Sequence, residues 1–579
     1  MSVLLTENSS AFMTFWTRLY GSSGKITAKS LSGSGSTTFG SDLEVDTLDG
    51  AGSIVFSGAL TTITAGSGAF SGTISGAQSF IKKGSGTLAI SGTDALTSSV
   101  TLSGGILSIS DFTSLSAASE LPENLVFQGG SLEYTGAETT MTRGFTVDNG
   151  GAGFKASGTG ALTITGDMDF ADTSASNRTL SLGGTTDIAI ENIYNPGQIS
   201  AADVSKLFTK LEKQDTNKWI VKGAGAGFVE DAQTEIDIQN GELGFAMGAL
   251  GTMSTIRLGA TEVAATATLA WINDGTEINT EDVSGRITLR DSARAAFDIP
   301  SGNTVNFLSG INGGVGTSLT KTGGGTLELR EASSFTGGFT ISGGTVKAFN
   351  AESVGTSSVT VGTGSTNSPS ILVVNANLLN PITVKSDGTL TTDNTDQSVD
   401  DITVTSGGTI VPGGDAIGTM TVSNLTLKGG SIVNWQIKNA AEAEGIGYDT
   451  FIINSLALTD ASLSKRVHVN VKNIPDEKAS DFDNTKDQTF KFAQLTTALE
   501  NNVNVTSLFE IDASQFEYIN GLPTDHLVWY MSVSADRESL YITAMAIPEP
   551  STYGLGLGAL ALAAAAIRRR KKKKNLSAV

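Results

Sequence analysis

Side chains suited to acid–base or metal chemistry are few in this sequence, and none has the spacing that chemistry needs. The two histidines stand 58 positions apart, His468 inside a strand-like Val467-His468-Val469 and His526 in Asp525-His526-Leu527, with no zinc-type interval between them. Three carboxylate pairs, Asp167/Asp169, Glu235/Asp237 and Glu442/Glu444, would each project from one face of a strand. Two acids on one face are the minimum for glycosidic cleavage or a calcium ion, but a solvated acidic surface accounts for them more simply. Gly223–Gly227 imitates a dinucleotide loop without the flanking strand and helix, and Gly24-Lys25 lacks the rest of a phosphate loop. Cysteine is absent, which removes disulfides, thiolate metal sites and a cysteine nucleophile. The sequence therefore assigns no catalytic residue, no metal ligand and no cofactor.

The charge balance narrows the partners. There are 37 Lys+Arg against 58 Asp+Glu, a net charge of −21, and without the seven bases near the C-terminus the balance becomes 30 to 58, or −28. A body this acidic repels nucleic acid and anionic lipid. Glycine is abundant at 69 residues and proline scarce at 10, while aromatics are only 7 %; many short strands separated by tight turns fit this composition.

An internal repeat says how those strands are arranged. Lys82 to Ile109 and Lys321 to Ala348 align over 28 positions without a gap and share ten residues. The signature is Lys82, Gly84, Gly86, Thr87, Leu88, Gly104 and Gly105 in the first copy. In the second it is Lys321, Gly323, Gly325, Thr326, Leu327, Gly343 and Gly344. Weaker echoes occur at Leu125–Leu132, at Val221–Gly225 followed by Ile236–Leu243, and at Ile402–Ile410. Thr87-Leu88-Ala89-Ile90 and Val100-Thr101-Leu102 alternate apolar with small polar residues, the period of a half-buried strand, and Ser103-Gly104-Gly105 supplies a corner. Strands this short, with so few aromatics, do not fill a sandwich core. Wound into coils of about 20–25 residues, they stack each strand on its counterpart about 4.8 Å away, with Leu, Ile and Val inside and Thr and Ser outside. The fold expected is all-β, a parallel β-helix.

The Lys-x-Gly-x-Gly-Thr-Leu…Gly-Gly pattern resembles the autotransporter-associated β-strand repeat, also called the passenger-associated transport repeat. The resemblance implies a right-handed solenoid on a bacterial surface and no chemistry.

Three segments depart from the repeat. Val204, Leu207, Phe208 and Leu211 follow Ser200 and Asp203 at helical spacing, which predicts a short amphipathic helix over about 201–213. From about 439 the pattern changes, and over 460–545 larger residues gather, including Phe482, Phe490, Phe516 and Trp529; they predict a C-terminal β cap that covers the open strand edges. Met1 to Tyr20 lacks a basic start, an unbroken apolar core and a small-x-small cleavage site, so residues 1–29 read as a misassigned start or an N-terminal cap. The organisation expected is 1–29, coils 30–199, helix 200–214, coils 215–438, cap 439–545 and a sorting segment 546–579.

That last segment carries the strongest functional signal. Pro548, Glu549 and Pro550 precede an apolar run, Tyr553 to Ile567, and then seven consecutive bases, Arg568, Arg569, Arg570, Lys571, Lys572, Lys573 and Lys574. As a helix, the 15-residue run reaches roughly 22 Å against a hydrocarbon core of about 30 Å, so it suits a span held briefly at the membrane. The bases keep its end on the cytoplasmic side. The segment resembles the PEP-CTERM sorting signal of Gram-negative bacteria, and this implies an exosortase-type membrane protease as partner. The function expected is a non-enzymatic, exported surface or matrix protein associated with extracellular polysaccharide. A β-helical polysaccharide lyase or glycosidase is the alternative.

Overall fold

The computed structural model describes residues 14–16 and 25–547, apart from 58–61, 93–95, 97–98, 116–120, 172–177, 191–208, 223–234, 252–254, 261–264, 274, 276, 366–368, 394–396 and 520–526. The chain divides into two units, Met1–Phe339 and Thr340–Val579. The described residues are nearly all β, in parallel strands stacked into long sheets, with one four-residue α-helix, Val505–Leu508, and short 3-10 turns such as Pro122–Asn124.

In the first unit, each strand pairs in parallel with a counterpart 17 to 31 positions further on, from Ile63↔Phe80 to Leu182↔Lys213. Alternation within each strand then builds buried columns. One runs Leu180, Leu211, Ile236, Ile256, Ile287, each opposite the next and each nearly inaccessible to solvent. Another runs Leu88, Leu107, Leu132, Phe154, Leu182 and continues through Lys213 to Ile238. Burying each such side chain contributes about 1.5–3 kcal/mol, so a stack of modest strands substitutes for a thick core. Aromatics cluster locally in the unit: Trp271 lies 5.3 Å from Phe245, 5.9 Å from Phe297 and 5.8 Å from Phe307, and Phe127, Phe145 and Phe154 form a second group. At the N-terminal side Thr14–Trp16 pairs antiparallel with Lys25–Gly33, which occupies the exposed edge of the first parallel strand.

The second unit repeats the principle. Val346, Leu372, Leu390, Ile410, Val433 and Val469 form one ladder column, and Val361, Val384, Val404 and Leu427 form another. Parallel pairing continues beyond residue 439, through Val467–Lys472 to Phe509–Asp512. Ser539–Ala546 then pairs antiparallel with both Gln488–Leu495 and Leu527–Val533. Phe482 anchors the aromatics beneath them, 5.1 Å from Phe516, 5.0 Å from Tyr518 and 5.8 Å from Trp529.

One expectation changes at its end. Lys210–Lys213 is a strand, not the end of a helix, and it is clamped between Thr179–Gly184 and Glu235–Ile238. Leu211 and Lys213 point inward while Lys210 and Glu212 face out, so a period of two governs there; residues 200–208 of that predicted helix lie outside the described residues. No helix among the described residues is long and apolar enough to cross a membrane, and the run 553–567 also lies outside them. Replacing Leu211 by alanine should cost about 2–5 kcal/mol in urea unfolding of the chain, as for any fully buried Leu. A cost below about 1 kcal/mol would contradict the column.

Candidate functional site

The repeat signature assembles around an inward-pointing lysine. Lys82 occupies an inner position of its strand, between Ala65 and Leu102 in the stack, and is fully buried. Its ammonium faces no acid. It donates instead to the backbone carbonyls of Lys83 at 2.8 Å, Gly104 at 3.0 Å and Gly84 at 3.4 Å. Three protons meet three carbonyls, and these carbonyls belong to the two corners that follow Lys82 and Leu102. The glycines then have defined tasks. Gly105 adopts φ +62°, and a Cβ there would stand 2.4 Å from the Gly86 carbonyl and 2.7 Å from the Lys82 nitrogen. Thr87 and Leu88 begin the next strand, with Leu88 buried opposite Leu107.

Lys321 is built the same way: fully buried, opposite Phe297, donating to the Thr322 carbonyl at 2.7 Å and the Gly323 carbonyl at 2.8 Å. Gly323 takes φ 72°, and Gly344, the counterpart of Gly105, takes φ 68°. Gly325, Thr326 and Leu327 lead into the strand Thr326–Leu329, where Leu327 is buried. Gly86, Gly104 and Gly343 complete the two corners.

A third cradle escaped the sequence reading. Lys213 is fully buried within an aliphatic column, and its ammonium donates to the carbonyls of Gln214, Asp215 (2.8 Å) and Asn240 (3.2 Å) and to the Asn217 side-chain oxygen (3.2 Å). Asp215, at φ 55°, stands where the other copies have Gly84 and Gly323; Asn217 replaces Gly86; Asn240-Gly241 replaces Gly104-Gly105, with Gly241 at φ 65°. The register agrees, since Trp219 pairs with Leu243 as Leu88 does with Leu107. Allowing Asp and Asn, the residues that best tolerate left-handed backbone, would have revealed it. The echo at Val221–Gly225 was one strand too late, and its Gly223–Gly225 lies outside the described residues.

Burial pulls Lys82, Lys213 and Lys321 each down to about 8 from the ordinary 10.5. Between pH 8 and 10.5 the folded chain then holds fewer protons than the unfolded one. Stability should therefore rise with pH across that window and be lower below pH 8, by on the order of 1–3 kcal/mol per lysine. Side-chain NMR should find three lysines titrating near pH 8; their titration above pH 10 with the bulk would contradict the cradle.

The acids and histidines assemble no reactive centre among the described residues. Asp237 and Glu235 share an outer face but are committed to cations: Asp237 to Arg290 and to Lys210 at 3.4 Å, Glu235 to Arg257 at 3.6 Å. Burial would raise the Asp237 carboxyl, but hydrogen bonds from Arg290 and Gln239 and the Arg290 and Lys210 charges hold it below the usual range, opposite to a general acid. Asp167 and Asp169 are exposed, and Glu444 pairs with Lys491 at 3.1 Å. His468 contacts Glu510 at 3.4 Å; His526, Pro548–Pro550 and Arg568–Lys574 lie outside the described residues. No group of three or more metal-type ligands occurs among the described residues.

The passenger-associated-transport-repeat model matches residues 80–109 and 319–348, the spans that contain the Lys82 and Lys321 cradles. These are passenger-associated transport repeats. The Lys213 cradle has the same geometry and lies outside both matched spans. The PEP-CTERM protein-sorting motif matches residues 546–571. The chain is also 28 % identical over 233 residues to the "Adhesin BmaC autotransporter" of Brucella suis biovar 1 (strain 1330), which covers 34 % of this chain and 6 % of that relative. The chain thus spans a small fraction of the length of the curated relative it matches. Transport repeats, the adhesin likeness and the sorting motif together support an exported, envelope-associated protein.

Proposed function

We propose that this chain is a non-enzymatic structural or adhesive protein of the Gram-negative cell surface or matrix, wound as a right-handed parallel β-helix. The observation that carries this reading is the sorting motif at 546–571 on the same chain as two transport repeats. In this reading Pro548, Glu549 and Pro550 are the handle for an exosortase-type membrane protease. Tyr553–Ile567 is the transient span, and Arg568–Lys574 holds the cytoplasmic side. The antiparallel strands at Thr14–Trp16 and at Leu527–Ala546 act as caps that deny the stacked edges to other chains. Outward Thr, Ser and Asn rows, such as the Asn470–Asn434 hydrogen bond at 2.9 Å, give the surface a repeated capacity to bind extracellular polysaccharide.

Replacing Pro548, Glu549 and Pro550 together by alanine should leave an uncleaved, heavier form in the cell membrane and deplete the surface fraction several-fold. Identical fractionation of variant and wild type would overturn the reading.

A further inference from the structure

The outer face of the last parallel strands in the second unit is concave. Ile432–Gln436, Val467–Lys472 and Phe509–Asp512 pair in register, which sets Ile432, His468 and Glu510 in one row and Asn434, Asn470 and Asp512 in the next. Val433 and Val469, the alternate residues, point into the core, so both rows face solvent. A hollow of about 450 Å³ is lined by Ile432, His468, Asn470, Glu510 and Asp512. A second of about 160 Å³ shares Asn470 and Asp512 and adds Lys472 and Gln515. The two form one open, polar trough across the strands.

Its chemistry is that of a glycan site without a Trp, Tyr or Phe stacking platform, since none of these lines it. Neighbouring strands lie about 4.8 Å apart, comparable to the length of one sugar ring, so an extended chain crossing them meets a new polar set at each ring. The Asn470 amide donates to the Asn434 oxygen at 2.9 Å, which leaves the Asn434 nitrogen and the Asn470 oxygen for hydroxyls. The Glu510 side chain is about half exposed. Asp512 accepts from the Ser514 backbone at 2.8 Å; that bond, the Ser514 hydroxyl and the Lys472 charge hold its carboxyl below the usual range.

Charge selects the class of sugar. Two carboxylates oppose one lysine in the trough, on a chain of net −21, so a polyuronate is repelled. A neutral glycan would strip water from the carboxylates without returning a charge. We infer that this trough binds an extended polysaccharide bearing free amino groups, a partly de-N-acetylated hexosamine polymer, its ammonium groups on Glu510 and Asp512 and its hydroxyls on Asn434 and Asn470. The inference rests on the surface reading above and names the site and sugar class for it.

Calorimetric titration of the full chain with a chitosan hexamer, cellohexaose and hexagalacturonate tests it. The chitosan hexamer should bind at least tenfold more tightly than the other two, and more weakly as salt rises. Glu510→Gln with Asp512→Asn should lower that affinity at least tenfold while the melting temperature falls by no more than a few degrees, because both side chains face solvent and Asp512→Asn keeps an acceptor for the Ser514 N–H; Asn470→Ala should also weaken it. Equal affinity in the double variant, or a preference for either other hexamer, overturns the inference. Wild type displayed on the envelope yet silent to the chitosan hexamer overturns the trough alone. Wild type absent from the envelope overturns the surface reading beneath it.

Discussion

Alanine at Gly105 should destabilise the chain by about 2–5 kcal/mol, while alanine at Gly84 should cost only about 1–2 kcal/mol. Both glycines have positive φ, 62° and 70°, so both substitutions bear the left-handed backbone penalty. They differ in what a methyl group meets. At Gly84 nothing lies within 4 Å, whereas at Gly105 the Gly86 carbonyl is 2.4 Å away, the Gly84 carbonyl 2.5 Å and the Lys82 ammonium 2.7 Å. Relieving the clash means opening the cradle and leaving a buried cation short of acceptors, the costly outcome for any desolvated charge. Urea unfolding of the two variants beside wild type measures the difference. Equal losses would mean that the corner is held by backbone conformation alone and that the lysine is incidental. Gly241, whose Cβ would stand 2.8 Å from the Lys213 nitrogen, should behave like Gly105.

Removing the carboxyl of Asp449 should be comparably severe. This side chain is fully buried and faces no cation. It accepts from the Gly418 backbone at 3.0 Å and the Gln436 backbone at 3.0 Å, while its own carbonyl accepts from the Trp435 indole at 2.6 Å. One residue thereby ties the starts of Thr419–Lys428 and Thr450–Thr459 to the end of Ile432–Gln436. Asp449→Ala leaves two buried N–H groups unpaired, at about 1–3 kcal/mol each, or about 2–6 kcal/mol in all. Asp449→Asn, which keeps one acceptor, should lose about half as much. Burial raises the Asp449 carboxyl well above its ordinary value, and the two backbone hydrogen bonds only partly oppose this. The folded chain therefore holds this proton at pH values where the unfolded chain has released it. Its contribution is full below about pH 4 and declines as pH rises through the folded value. Denaturant unfolding of wild type and Asp449→Ala across pH 4–7 should find the gap between them narrowing as pH rises; a widening gap would contradict the assignment.

Much of this architecture was legible because strand alternation is a local signal. Leu88, Leu107, Val100 and Leu102 announce inward positions by period two, and the stacked pairings place them there. Lys82 and Lys321 were legible as repeat positions but not as core residues, because a lysine in an apolar column is rational only once carbonyls from two corners converge on it. Lys213 was missed because Asp215 and Asn217 stand where glycines were sought. The helix expected over 201–213 failed at its end because Leu211 satisfies either period, and neighbours at Leu180 and Ile236, distant in sequence, decide between them. The aromatic cluster around Phe482 was foreseen as larger residues. The continuation of parallel pairing to Phe509–Asp512 beneath it was not, because the intervals between partners lengthen to 42 positions there, as in Val469↔Ile511. The trough residues His468, Asn470 and Asp512 carried no motif; register alone brings them together.

Mass spectrometry of the C-terminus of the protein recovered from cell envelopes tests the surface account most directly. A mature chain ending close to Pro550, without the apolar run and the bases, is the predicted result. A chain that retains Lys574 on the envelope-displayed protein would contradict it.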